Sequence, residues 1–176
     1  MKLPRFSIGP RNQTSRPRMA AAGETLEFEI LCDSDGTIIF GWATRSVLYT
    51  KFEGGLSAQA GHTYATRLGT LIAQNQSISF FCDCSSLQHY DLMARSAFVR
   101  AVLSNRRKFI SLTMLAWSGG ISPAIQALVD TLGDPTEVLT DADAFEARLL
   151  KAAPTARRKL DPKTWVRTTP PVSRVR

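Results

Sequence analysis

The chain has 176 residues, 44% of them apolar, which suits one domain with appendages and a core able to fold alone. No stretch reaches the roughly 18–20 apolar residues that span a bilayer. Met1 to Met19 is basic but lacks the apolar segment of a secretory signal, so a cytoplasmic chain is expected. The net charge of +7 is unevenly placed: residues 1–20 hold five basic groups and no acid, and residues 151–176 hold eight basic groups and one acid. The ends thus carry +12 and the middle −5, which describes a mildly acidic domain with two basic arms.

Residues 1–23 are rich in Pro, Arg, Ser, Gln and Asn and too poor in aliphatic side chains to offset the entropy of ordering, so they are expected to be a disordered arm. Residues 24–153 are the expected domain. Leu26 to Ile30 alternates polar and apolar, Thr37 to Trp42 is β-rich, and Asp33-Ser34-Asp35-Gly36 between them is turn chemistry, which predicts an opening hairpin. Leu56, Ala60, Tyr64, Leu68, Leu71 and Ile72 fall at helical spacing and predict a helix over roughly 55–74. Ser77 to Cys82 reads as a short buried strand that ends at Asp83, followed by a polar loop.

Asp91 is placed to cap a helix with Leu92, Ala94, Phe98, Val99, Val102 and Leu103 on its apolar side. The run Arg106-Arg107-Lys108 reads as the solvated end of that helix, where the dipole favours cations. Phe109 to Trp117 is a strand. Ser118-Gly119-Gly120 then turns into a helix with Ser122 as N-cap and Pro123 in its first turn, stopped by Gly133. Thr136 to Thr140 is a last strand, and Asp141 caps a helix carrying Phe145, Leu149 and Leu150. Residues 154–176 form a basic tail broken by four prolines, with Trp165-Val166 as an apolar pair.

The expected order is therefore ββαβαβαβα. Strands alternating with helices of this length imply an α/β sandwich with a mainly parallel sheet, right-handed crossovers and one antiparallel edge.

Asp83 and Asp91 bracket the segment Phe80-Phe81-Cys82-Asp83-Cys84-Ser85-Ser86-Leu87-Gln88-His89-Tyr90-Asp91. The first aspartate ends the third expected strand and the second heads the second expected helix. In this pattern, and in element order over roughly residues 25–152, the chain resembles STAS domains, the fold of anti-sigma factor antagonists. The resemblance implies a non-catalytic regulatory protein that works through protein–protein contact. Its partner would be an anti-sigma factor kinase or another STAS protein.

Carried over position by position, the contact surface is Asp83, Ser85, Ser86, Asp91 and Leu92, with Arg95 near it. Many of those proteins carry a regulatory phosphoserine directly after the second aspartate. Leu92 occupies that position here, so a phosphorylation switch at the usual site is not expected. No glycine follows where the family often has one.

Other chemistries are weaker. Ser85 and Ser86 are modifiable hydroxyls near a helix N-terminus, where a phosphate is electrostatically favoured, but ordinary capping accounts for them. Asp83 and Asp91 lack the His, Cys or Lys partners of an acid–base pair. Cys82, Cys84 and His89 offer at most three zinc ligands, and the C-x-C spacing on a strand suits a buried face. The three cysteines, an odd number, read as reduced thiols. Ser118-Gly119-Gly120 lacks the spacing of a phosphate-binding loop. No catalytic, metal or cofactor set is therefore expected.

The arms, through Arg16, Arg18, Arg157, Arg158 and Lys159, are candidates for salt-sensitive contact with nucleic acid, an anionic membrane or an acidic protein. The alternative function is a structural one. In it the STAS-like domain self-associates into a homo-oligomer and the arms tether it to an acidic scaffold.

Overall fold

The computed structural model describes residues 28–116 and 123–154. The arms with Arg16, Arg18, Arg157, Arg158 and Lys159, the Trp165-Val166 pair, and the loop of Ser118, Gly119, Gly120 and Ser122 lie outside them. In chain order the elements are β1 (Phe28–Cys32), β2 (Gly36–Trp42), β3 (Val47–Leu56), α1 (Ala58–Ala73) and β4 (Ile78–Tyr90). There follow α2 (Leu92–Leu103), a 3-10 turn (Arg106–Lys108), β5 (Phe109–Leu115), α3 (Pro123–Leu132), β6 (Thr136–Leu139) and α4 (Ala142–Ala152).

The six strands form one sheet in sequential order. β1, β2 and β3 pair antiparallel, and β3 through β6 pair parallel. The expected α/β fold with an antiparallel opening and a parallel block is the one found.

The strands differ from the sequence reading in two places. β3 is a sixth strand that the expected order lacked, lying between the hairpin and the first helix. It is central, and Val47, Leu48, Tyr49 and Thr50 are all buried because both faces are covered. Such a strand shows no period of two. β4 also runs on to Tyr90, so the stretch expected as a polar loop is strand.

Sequential strand order with crossovers of one hand puts the connecting helices on one face. α1, α2 and α3 bury Tyr64, Leu68, Ile72, Ala94, Phe98, Val102 and Leu132 against Phe40, Leu48, Phe52, Phe80 and Cys82. Tyr64 is the hub of this face. Its ring meets Phe40, Phe52 and Phe98, and its hydroxyl shares a 2.7 Å hydrogen bond with Thr50. α4 covers the other face, where Phe145 and Leu149 pack on Phe28, Ile39, Tyr49, Phe81 and Leu115. Each large side chain fully buried in these layers contributes about 1.5–3 kcal/mol.

Capping follows the sequence closely. Asp91 accepts from the amide of Met93 at 2.6 Å, and Asp141 accepts from those of Asp143 and Ala144. α1 starts later than expected because Ser57 is its N-cap, accepting from the Ala60 amide at 3.1 Å. Gly133 ends α3 with a positive φ of 58°, which favours glycine.

The basic run after α2 does more than solvate its own helix end. Lys108 Nζ donates to the carbonyls of Ile72 and Ala73 at the end of α1. Arg106 donates to the carbonyls of Leu132 and Asp134 at the end of α3. Cations at helix C-termini are stabilised by the dipole, and here they serve the two neighbouring helices.

Candidate functional site

The region singled out by the aspartate pair sits at the carboxyl edge of the parallel strands, and its shape comes from β4. β4 pairs with β5 only as far as Asp83, opposite Leu115, but it stays paired with β3 to Tyr90, opposite Leu56. The last seven residues of β4 therefore project past β5. The register with β3 also slips twice, once between the Lys51–Asp83 and Glu53–Ser86 pairs and again between Gly54–Leu87 and Gly55–His89. Each slip inserts an extra residue into β4, and bulges of this kind bend a strand and re-aim its side chains. At the second one a Cβ on Gly55 would lie 2.4 Å from His89 Nε2, so the exposed imidazole would have to swing aside.

The candidate residues take different places in this frame. Asp83 is nearly buried on the α4 side of the sheet. Its Oδ1 accepts from the Ser85 amide at 3.0 Å and the Ser85 hydroxyl at 2.6 Å, and Tyr49 Oη lies 3.5 Å from Oδ2. Those donors compensate the burial of a carboxylate. Burial, followed by the charge of Asp83, pushes the Tyr49 phenol well above its ordinary range. Asp83 and Ser85 thus brace the bulge from inside, and the surface role expected of Asp83 is at odds with its burial. Ser86 is exposed, Asp91 is the exposed cap of α2, and Arg95 lies half-buried one turn further on.

Leu92 does not join the apolar side of α2. That side is Ala94, Phe98 and Val102, whereas Leu92 is 71% exposed and its neighbour Met93 is 68% exposed. Met93 was not among the candidates in the sequence, although its phase relative to Ala94 and Phe98 already sets it off the buried stripe. Leu103, also expected on that side, is 39% exposed.

Cys82 and Cys84 are buried on the face covered by α1–α3 with their sulfurs 3.6 Å apart, as strand alternation implies, while Cys32 is exposed. The hydrogen bond with Cys84, followed by burial, holds the Cys82 thiol well above its ordinary value. Among the described residues no group of three or more His, Cys, Asp and Glu side chains is placed to hold a metal ion. His62 and His89 are exposed on different elements.

Behind this surface lies a cleft of about 620 Å³. Its walls include Phe52 and Leu56 from β3, Phe98 from α2, Met114 from β5 and Leu128 from α3, with Arg95 among the lining residues. These residues are far apart in sequence, and no local pattern joins them. Open α/β sheets place their ligand crevices outside the carboxyl ends of the strands, which is where this cleft is.

No protein family matches the sequence, and no curated protein matches it. Solved structures do match in backbone. One is an uncharacterized protein of the DUF3478 family with a SpoIIAA-like fold from Shewanella loihica PV-4, at 15% identity over 75% of this chain and 99% of that one, TM-score 0.48. Another is the anti-sigma factor antagonist SpoIIAA in its unphosphorylated form, at 16% identity over 70% of this chain and 97% of that one, TM-score 0.46. Both are likenesses of fold, and no residue role is transferred from either. Among the described residues no helix is long and apolar enough to cross a membrane.

Proposed function

We propose that this protein is a non-catalytic regulatory module that holds another protein at the start of α2 and has no phosphorylation switch at position 92. The observation that carries the reading is the exposure of Leu92 and Met93, 71% and 68%, side by side at the tip of a helix. Single exposed apolar residues are ordinary. An adjacent apolar pair flanked on its own helix turn by Asp91 and Arg95, with Ser86 on the strand leading into it, has the make-up of an interface centre with a polar rim. Leu92 has no hydroxyl, so control falls to abundance, to the basic arms or to another site. The resemblance of the Asp83–Asp91 segment makes an anti-sigma factor kinase or a second STAS protein the first partner to try. Asp83 and Ser85 would act from beneath this face by holding the β4 bulge.

The test is affinity capture from native lysate with the full chain, the Leu92→Asp/Met93→Asp chain and an Ile110→Asp control. Ile110 is 63% exposed but lies at the amino end of β5, on the opposite edge of the sheet. A partner kept by the control and lost by the double substitution fits the reading. A full set of partners retained by the double substitution ends it.

A further inference from the structure

We infer that the cleft between the projecting end of β4 and helices α2 and α3 binds a single-chain amphiphile with an anionic head, of which a fatty-acid carboxylate is the simplest case. Its volume of about 620 Å³ falls in the range of roughly 300–1,000 Å³ typical of small-molecule sites. The wall is strongly apolar: Phe52, Leu56, Phe98, Met114 and Leu128 come from four different elements and offer carbon rather than donors and acceptors. A sugar or nucleotide would leave its hydroxyls without partners against such a wall, at a substantial desolvation cost. An alkyl chain would not.

The head-group end is set by Arg95. It is the one cation among the lining residues described, and its guanidinium makes no ion pair or hydrogen bond within the described structure. Arginine offers a planar fork of donors that matches a carboxylate or a phosphate ester. Ser85, Ser86 and Gln88 on the projecting strand add polar groups to the same lining. No acidic side chain is among the described lining residues, so an anion meets no like charge from them. Among the described residues β4 runs seven residues beyond its last pairing with β5, and the cleft lies beside that end of the strand.

The inference does not rest on the partner-binding reading. Leu92 and Met93 are not among the lining residues, and an uncharged Leu92→Ser/Met93→Ser chain, which places no new carboxylate beside Arg95, is expected to bind the amphiphile as the unaltered chain does.

The experiment is titration calorimetry of the full chain, stripped of co-purified lipid, with decanoate, myristate, lysophosphatidate, decanol and decylammonium below their micelle concentrations. One-to-one binding of the anionic probes is expected, strengthening about fourfold for each methylene that still finds room. Decylammonium should bind at least tenfold more weakly than decanoate. Arg95→Gln should weaken decanoate about tenfold and change decanol less than twofold, and Leu128→Trp should block both by filling the cleft. The carboxylate and lysophosphatidate arms distinguish the head group, and either one fits the inference if it depends on Arg95. Absence of saturable binding overturns it, as do many molecules per chain or equal affinity for decanoate and decylammonium. The probe series on the unaltered chain decides the matter even if a substituted chain misfolds.

Discussion

At the amino edge of the parallel block, the side chains close the structure. Lys108 and Arg106 reach from the 3-10 turn to the last carbonyls of α1 and α3, and the groups a helix end leaves orphaned are satisfied by its neighbours. At the carboxyl edge the same sheet is left open. β4 projects beyond β5 with two bulges, α2 begins with Leu92 and Met93 in solvent, and an apolar cleft lies behind them. Charge is used at one edge to cap backbone, while at the other the Arg95 guanidinium is left without a partner among the described residues. In parallel α/β folds the carboxyl edge carries sites and the amino edge carries stability, and the division of side chains here follows that rule.

Five substitutions bear on this contrast. The largest effect is expected at a close helix–helix contact on the open edge, where α1 and α2 begin. A Cβ on Gly61 would lie 2.2 Å from Ala94 Cβ and 2.5 Å from its Cα. Gly61→Ala therefore forces the helices apart, and the overpacking penalty of about 1–3 kcal/mol exceeds the gain of about 1 kcal/mol in helix propensity. Urea unfolding should show a net loss of up to about 2 kcal/mol, whereas a gain would mean that the helices are not held at this distance.

Next comes the closed edge. Arg106→Met removes a charged donor from two carbonyls and should cost about 1–1.5 kcal/mol, and Lys108→Met about 1 kcal/mol. Neither should alter partner capture. Leu92→Asp reverses that pattern. Its stability should stay within about 0.5 kcal/mol of the unaltered chain, as for an exposed residue away from special features, while capture is lost. If the amino-edge variants lose the partner and Leu92→Asp keeps it, the contrast between the edges is wrong.

How much of this was legible depends on whether the governing contact is local. Asp91 and Asp141 as caps, Gly133 as a stop, the opening hairpin and the shared face of Cys82 and Cys84 all follow from residues within a few positions of one another, and all are found. β3 escaped because burial on both faces erases alternation. The extension of β4 escaped because Ser85, Ser86, Gln88 and His89 look like loop chemistry, and because two bulges break the period of two that identifies a strand. Asp83 is the sharpest case. The aspartate pair brackets a segment at the carboxyl edge of the sheet, yet its first member faces inward to Ser85 and Tyr49, a placement decided by the sheet and not by its neighbours in sequence. The cleft, assembled from β3, β4, β5, α2 and α3, left no local mark.

The smallest effect tests whether electrostatics also braces the open edge. Asp33, in the β1–β2 turn, accepts from the Ser57 hydroxyl, tying that turn to the cap of α1. Burial alone would raise its carboxyl, but the hydrogen bonds from Ser57 and from the Asp35 and Gly36 amides outweigh burial and hold it below the usual value of 3.8. A folded-state value below the unfolded one means that the stabilisation is complete above about pH 3.8 and is lost as pH falls through the folded value. The group is largely exposed, so the effect is small and weakened by salt. Asp33→Asn should therefore be slightly less stable than the unaltered chain at neutral pH, and the two unfolding curves should converge in acid. A gap that stays constant from neutral pH to well below pH 3.8 would show that the turn is held by geometry alone, with no contribution from the charge on the Asp33 carboxylate.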